Sequence, residues 1–169
     1  MRMILTLLLA LAQTGANSLP SVDVTASQLA QTLEQEKQTG VTDTPIRTVD
    51  AGGHHVGIAL VHRPKGAGGA AALHNHVSEV YQVLEGSGTL VTGGTILNPA
   101  PREVNAARGL PIGGPGIGGS AIQGGVSRRI SKGDMVIIPA GTPHWFSEIQ
   151  EPIAYTVVRV DPTRVVPLK

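Results

Sequence analysis

From Pro45 to Asp161 the chain is a succession of short, β-branched runs cut by turn residues, and no helical period separates one run from the next. That cadence constrains the fold more than any other feature. Many short strands without intervening helices build an antiparallel sandwich or barrel, whereas a parallel sheet would need helical crossovers. The expected strands are residues 46–50, 55–63, 70–76, 79–84, 88–92, 120–123, 126–130, 135–139, 144–147 and 153–161. With 22 glycines, 12 prolines and four aromatic residues in 169 positions, a helical bundle is excluded and the core must be aliphatic.

The N-terminal region has a different texture. Arg2 precedes an apolar run, Met3 to Ala12, that is half the roughly 20 residues a membrane span requires. A positive end, a short apolar stretch and small residues after it read as a secretory signal, 1–16, cut after Ala16. The mature protein is then exported, periplasmic or secreted, with no stable membrane anchor. Residues 17–44 follow as a lead and one helix over 26–37, capped by Thr25 or Ser27 and stopped by Gly40. The barrel is assigned to 45–161 and a tail to 162–169.

Within the barrel, residues 93–125 hold ten of the glycines and show no period. A segment this long without its own pattern is mobile or functional. Its Gly114-x-Gly116-x-x-Gly119 matches a dinucleotide fingerprint in letters only, because no strand leads in and no helix follows.

Charge and cysteine narrow the function. Thirteen basic residues face twelve acidic ones with no basic run, which disfavours nucleic acid as a partner. The absence of cysteine excludes disulfides, thiolate metal sites and a cysteine nucleophile, so any metal must be held by histidine and carboxylate.

Both are supplied. His74 and His76 stand two apart, which in a strand places both imidazoles on one face. Glu79 follows across a turn, and His144 comes directly after the rigid Pro139-Ala-Gly141-Thr-Pro143. Three imidazoles and one carboxylate suit a divalent transition metal. An HxH pair alone is equally the mark of two exposed strand histidines.

The glycines around these residues add specificity. Gly68-x5-His74-x-His76-x2-Glu79-x6-Gly86 resembles the first signature of the cupin superfamily, and Gly133-x5-Pro139-x-Gly141-x2-His144 resembles the second. Two departures stand out. Two residues separate His76 from Glu79, where the family usually has three or four, and Glu148 occupies a position that is commonly Asn.

The resemblance implies an all-β, double-stranded β-helix (jelly-roll) barrel with a short N-terminal helix. It also implies one divalent transition metal (Zn, Mn, Fe, Ni or Cu) held by His74, His76, Glu79 and His144. An open coordination position would take a small organic substrate, as in dioxygenase, isomerase, decarboxylase or lyase chemistry. Strand alternation would place Tyr81, Phe146 and Glu148 on the cavity side, and Tyr81 and Glu148 are the candidate catalytic proton carriers. Arg159 is read as a solvated strand end, with anchoring of an anionic substrate as the alternative. A small-molecule binding or sensing protein with a structural metal is the second functional reading. A homodimer is expected, paired through the outward side of Val80 and Leu84 with Trp145.

Overall fold

The computed structural model describes residues 19–40, 43–66, 68–102 and 112–169, so the signal assigned to 1–16 lies outside the described residues. Helix α1 (Ala26–Thr39) begins in a capping box. The Thr25 hydroxyl accepts from the Gln28 amide, and the Gln28 side chain accepts from the Thr25 amide. Gly40, in the left-handed region at φ 69°, closes the helix with its N–H donating to the Glu36 carbonyl. Among the described residues no helix is long and apolar enough to cross a membrane.

The rest is an all-β jelly-roll barrel. Two long strands organise it, β4 (Ser78–Thr92) and β11 (His144–Asp161), antiparallel to each other along most of their length. On its other side β11 pairs with β2 (His55–Arg63), which pairs with β1 (Thr44–Asp50). The free side of β4 takes β9 (Val126–Ser131) and β10 (Met135–Ile138). Residues 79–84 and 88–92, expected as separate strands, are one strand bent at Gly86. There φ is +75°, and a Cβ would lie 1.9 Å from the Pro152 carbonyl oxygen, so only glycine fits. The break expected near Pro152 is likewise a set of bulges inside β11.

The interior is closed by Leu90, Val83, Ile149, Ile153 and Val157, with the rings of Tyr81 and Phe146 packed at a tilt against Tyr155. Alternation along β4 and β11 explains the selection, since every second residue faces inward until a bulge shifts the phase.

The described parts of the glycine-rich segment, 93–102 and 112–125, contribute strands. β3 (Ala71–His74) adjoins β11 through the His144↔Ala72 pair, β7 (Gly116–Gly119) adds to β3, and β6 (Ala100–Pro101) adds to β7. A separate ribbon, β5 (Thr95–Leu97) with β8 (Ala121–Gln123), packs Ile96 and Ile122 against Ala71 and Val91 on the barrel's outer side. The glycines of the apparent fingerprint are packing residues. A Cβ on Gly116 would meet the Leu73 carbonyl oxygen at 1.9 Å, and one on Gly119 would meet Ile96 at 2.3 Å.

Candidate metal centre

Three side chains from three strands converge in the barrel. His74 ends β3, Glu79 is the second residue of β4, and His144 opens β11. Each offers one ligand atom, and the three atoms lie within 4.8 Å of one another. His74 Nε2 is 3.6 Å from Glu79 Oε1, and His144 Nε2 is 3.5 Å from Glu79 Oε2. The imidazole centroids are 5.2 Å apart. Glu79 itself is only 1% exposed.

Both rings are prepared as ligands. His144 Nδ1 lies 3.1 Å from the Thr142 carbonyl, which can only accept, so Nδ1 carries the proton and the lone pair stays on Nε2. Burial pushes the His74 imidazole down to about 3, against the pull of Glu79, and lowers His144 as well. His74 Nδ1 is buried without a hydrogen-bond partner among the described residues. Its Nε2, by contrast, faces the Glu79 carboxylate, the side on which His144 Nε2 also stands.

Glu79 is held as an anion. Burial, the largest single influence, would raise its carboxyl, but the Arg159 guanidinium together with the neighbouring His74 and His144 rings outweighs it and the group settles at about 2. Arg159 Nε donates to Oε1 at 2.9 Å, while the Tyr81 hydroxyl donates to Oε2 at 2.9 Å. Each carboxylate oxygen has two lone pairs, so one remains free on each for a metal. The donor set therefore fits a divalent transition metal held by two imidazoles and one carboxylate, an arrangement that leaves positions open.

A family model described as Cupin matches residues 13–168. The chain belongs to the cupin family. Solved structures that resemble this cupin include a Bacillus halodurans protein, with 16% identity over 87% of this chain and 86% of that one at a TM-score of 0.45. An oxalate oxidase shares 19% identity over 63% of this chain and 41% of its own, at a TM-score of 0.39. A DMSP lyase from Ruegeria pomeroyi shares 18% identity over 78% of this chain and 53% of its own, at 0.43. No curated protein matches the sequence.

Of the six residues singled out from the sequence of this cupin, four meet at the centre: His74, Glu79, His144 and Tyr81. His76 does not join them. β3 ends at His74, so His76 lies in the bend beyond it, exposed, and the two-residue alternation that would align the two rings no longer applies. Glu148 is also placed elsewhere. A bulge between Phe146 and Glu148 shifts the phase of β11, turning Glu148 out to solvent, where Gln150 donates to it, while Phe146 stays in the core. Trp145 packs outside the barrel beside the β5–β8 ribbon and donates to the Gly69 carbonyl.

Arg159 corrects the reading as a solvated strand end. It is 5% exposed, and its Nη atoms donate to both Asp43 carboxylate oxygens at 3.2 and 2.6 Å while Nε serves Glu79. Its alternation with Tyr155 and Val157 was the available signal, because that phase points it inward.

Proposed function

We propose that this protein is an exported metal-dependent cupin enzyme acting on a small organic substrate at the His74–Glu79–His144 centre. The observation that carries the reading is the buried cluster of two neutral imidazoles and one permanent carboxylate. A divalent transition metal, when bound, supplies Lewis acidity and exchangeable positions for substrate. The chain's own residues do the positioning. Arg159 orients Glu79 and keeps it ionised, and the Thr142 carbonyl sets the tautomer of His144. Tyr81 keeps its proton, since burial lifts the phenol well above its ordinary value, and that proton sits on the Glu79 side.

A second reading, ligand binding without turnover, is favoured by the commitment of that same proton. Tyr81 already donates to Glu79, and Glu148 faces solvent, so neither stands free as a base. The test loads the protein separately with Zn, Mn, Fe, Ni and Cu and assays phenolic, keto-acid and sugar-acid panels. Turnover that disappears in His144→Ala supports the enzyme. A ligand recovered unchanged, with no turnover for any metal, supports the binding protein.

Export follows from the signal-like residues 1–16, and N-terminal sequencing of the natural protein should begin at Asn17. A homodimer is proposed through the outward row Ile137–Val80–Val158–Ile58. These residues stand in register across β10, β4, β11 and β2, and Ile137 is 73% exposed.

A further inference from the structure

The strands added by the glycine-rich segment bring a cation to the metal centre. Arg102 follows β6, and its N–H donates to the Gly116 carbonyl at 2.9 Å. Gly116 in turn stands opposite His74. Arg102, Gly116 and His74 therefore form one row across three neighbouring strands, and residues paired in such a row project from the same face of a sheet. The adjacent row is Ala100, Gly118 and Ala72. Between Arg102 and the His74 imidazole the inner face thus carries only glycine and alanine. The arginine stem uses that room, its Cγ lying 3.5 Å from the place a Cβ on Gly118 would take. Gly113 closes the other side, where a Cβ would come within 2.6 Å of His74 Cε1.

The charge acts on the centre from that position. The Arg102 guanidinium feels the Glu79 carboxylate and disfavours protonation of both His74 and His144. Two other arginines are close by, but they are occupied. Arg159 is divided between Glu79 and Asp43, and Arg63 donates to the Tyr155 hydroxyl and the Gly68 carbonyl. Among the described residues Arg102 is in no ion pair, and it is half-buried.

We propose that Arg102 is the specificity residue of this centre, taking the carboxylate of a small organic acid whose other polar end reaches the open positions in front of His74 and His144. The inference rests on the metal-centre reading above and gives its substrate class. A guanidinium beside a face of glycine and alanine suits a planar carboxylate, which it grips through two parallel N–H donors. The small residues leave space for the organic part, and an uncharged analogue forfeits the ionic contact.

The test uses the full-length protein with Co(II) bound, whose visible absorption reports occupation of the open positions. Lactate is the carboxylate probe, lactamide its neutral counterpart and inorganic phosphate the competing anion. Wild type, Arg102→Gln and Arg102→Lys are titrated, and each titration is repeated calorimetrically without metal. The expected result is saturable lactate binding that weakens at least about tenfold in Arg102→Gln and recovers in part in Arg102→Lys. Each protein is compared at saturating cobalt, where the lactamide response should be the same in all three.

Equal lactate binding by wild type and Arg102→Gln overturns the proposal, as does phosphate bound in preference to lactate. Absence of saturable lactate binding by wild type overturns it too. Failure of wild type to retain cobalt contradicts the metal reading alone. The role of Arg102 is then decided by the metal-free titrations, where loss of lactate binding in Arg102→Gln still supports it and equality refutes it.

Discussion

Arg159 Nε lies 2.9 Å from Glu79 Oε1, joining two residues 80 positions apart in the chain. The contact shapes the chemistry of the centre, because it is the strongest of those that together keep a carboxylate only 1% exposed as an anion. Asp43 completes the network from outside, balancing the second half of the guanidinium. A buried charge with both partners in place is tolerable, and one with a partner removed is not.

Arg159→Met should therefore lower stability by about 3–5 kcal/mol, the cost of leaving a buried carboxylate without its counter-charge. A bound divalent metal offers Glu79 a replacement cation, so the loss should shrink when zinc is added. Denaturant melts with and without zinc measure both effects. An equal loss in the two conditions would mean that Glu79 does not face the metal.

Gly113→Ala tests the wall beside His74. The φ of +88° disfavours any Cβ, and the added methyl group would sit 2.6 Å from His74 Cε1. The ring must move, so metal affinity should fall about tenfold or more for a strain of roughly 1–3 kcal/mol. Competition with a chromophoric chelator reads the affinity. An unchanged value would place the ring's constraint elsewhere.

Glu36 gives the pH dependence. It is the buried acid of α1, and its carboxylate oxygens have no close, well-aligned hydrogen bond among the described residues, the nearby Thr44 and the His62 amide offsetting the burial only in part. Burial, reinforced by Asp43, lifts it from 4.5 to about 7. A raised folded-state value means the folded chain holds the proton more tightly than the unfolded one. Its contribution is thus complete below about pH 4.5 and is lost as pH rises through 7. The swing is at most roughly 3 kcal/mol. Thermal melts from pH 5 to 8 should show a declining midpoint in wild type and a flatter profile in Glu36→Gln, with the variant more stable at pH 8. Parallel profiles would remove Glu36 as the cause.

Much of this architecture was legible in the residues. Strand β2 has the bounds that alternation predicts, residues 55–63, and α1 is capped by Thr25, one of the two caps the sequence offers. What escaped the sequence depends on contacts between distant segments. The turn residues near Gly86 and Pro152 read as strand ends, whereas pairing between β4 and β11 carries both strands through as bulges. One such bulge sends Glu148 outward, and no local pattern marks it.

His76 leaves the shared face because β3 stops at His74. The next amide, Asn75, donates to the Pro115 carbonyl, forty residues away, and Gly141 donates to the His74 carbonyl. Strand β8 is expected, as 120–123, but β5, β6 and β7 have too few apolar side chains to show a period. Arg159 read as a strand end because its two carboxylate partners, Glu79 and Asp43, come from far upstream.

The central claim is that His74, Glu79 and His144 hold one metal and that His76 stands outside the donor set. Elemental analysis and competition titration of wild type, His74→Ala, His144→Ala and His76→Ala test it most directly. The account predicts one metal per chain in wild type and in His76→Ala, with affinity falling at least about a hundredfold in the other two, a loss of about 2.7 kcal/mol. Metal retained at wild-type affinity in both His74→Ala and His144→Ala would contradict it.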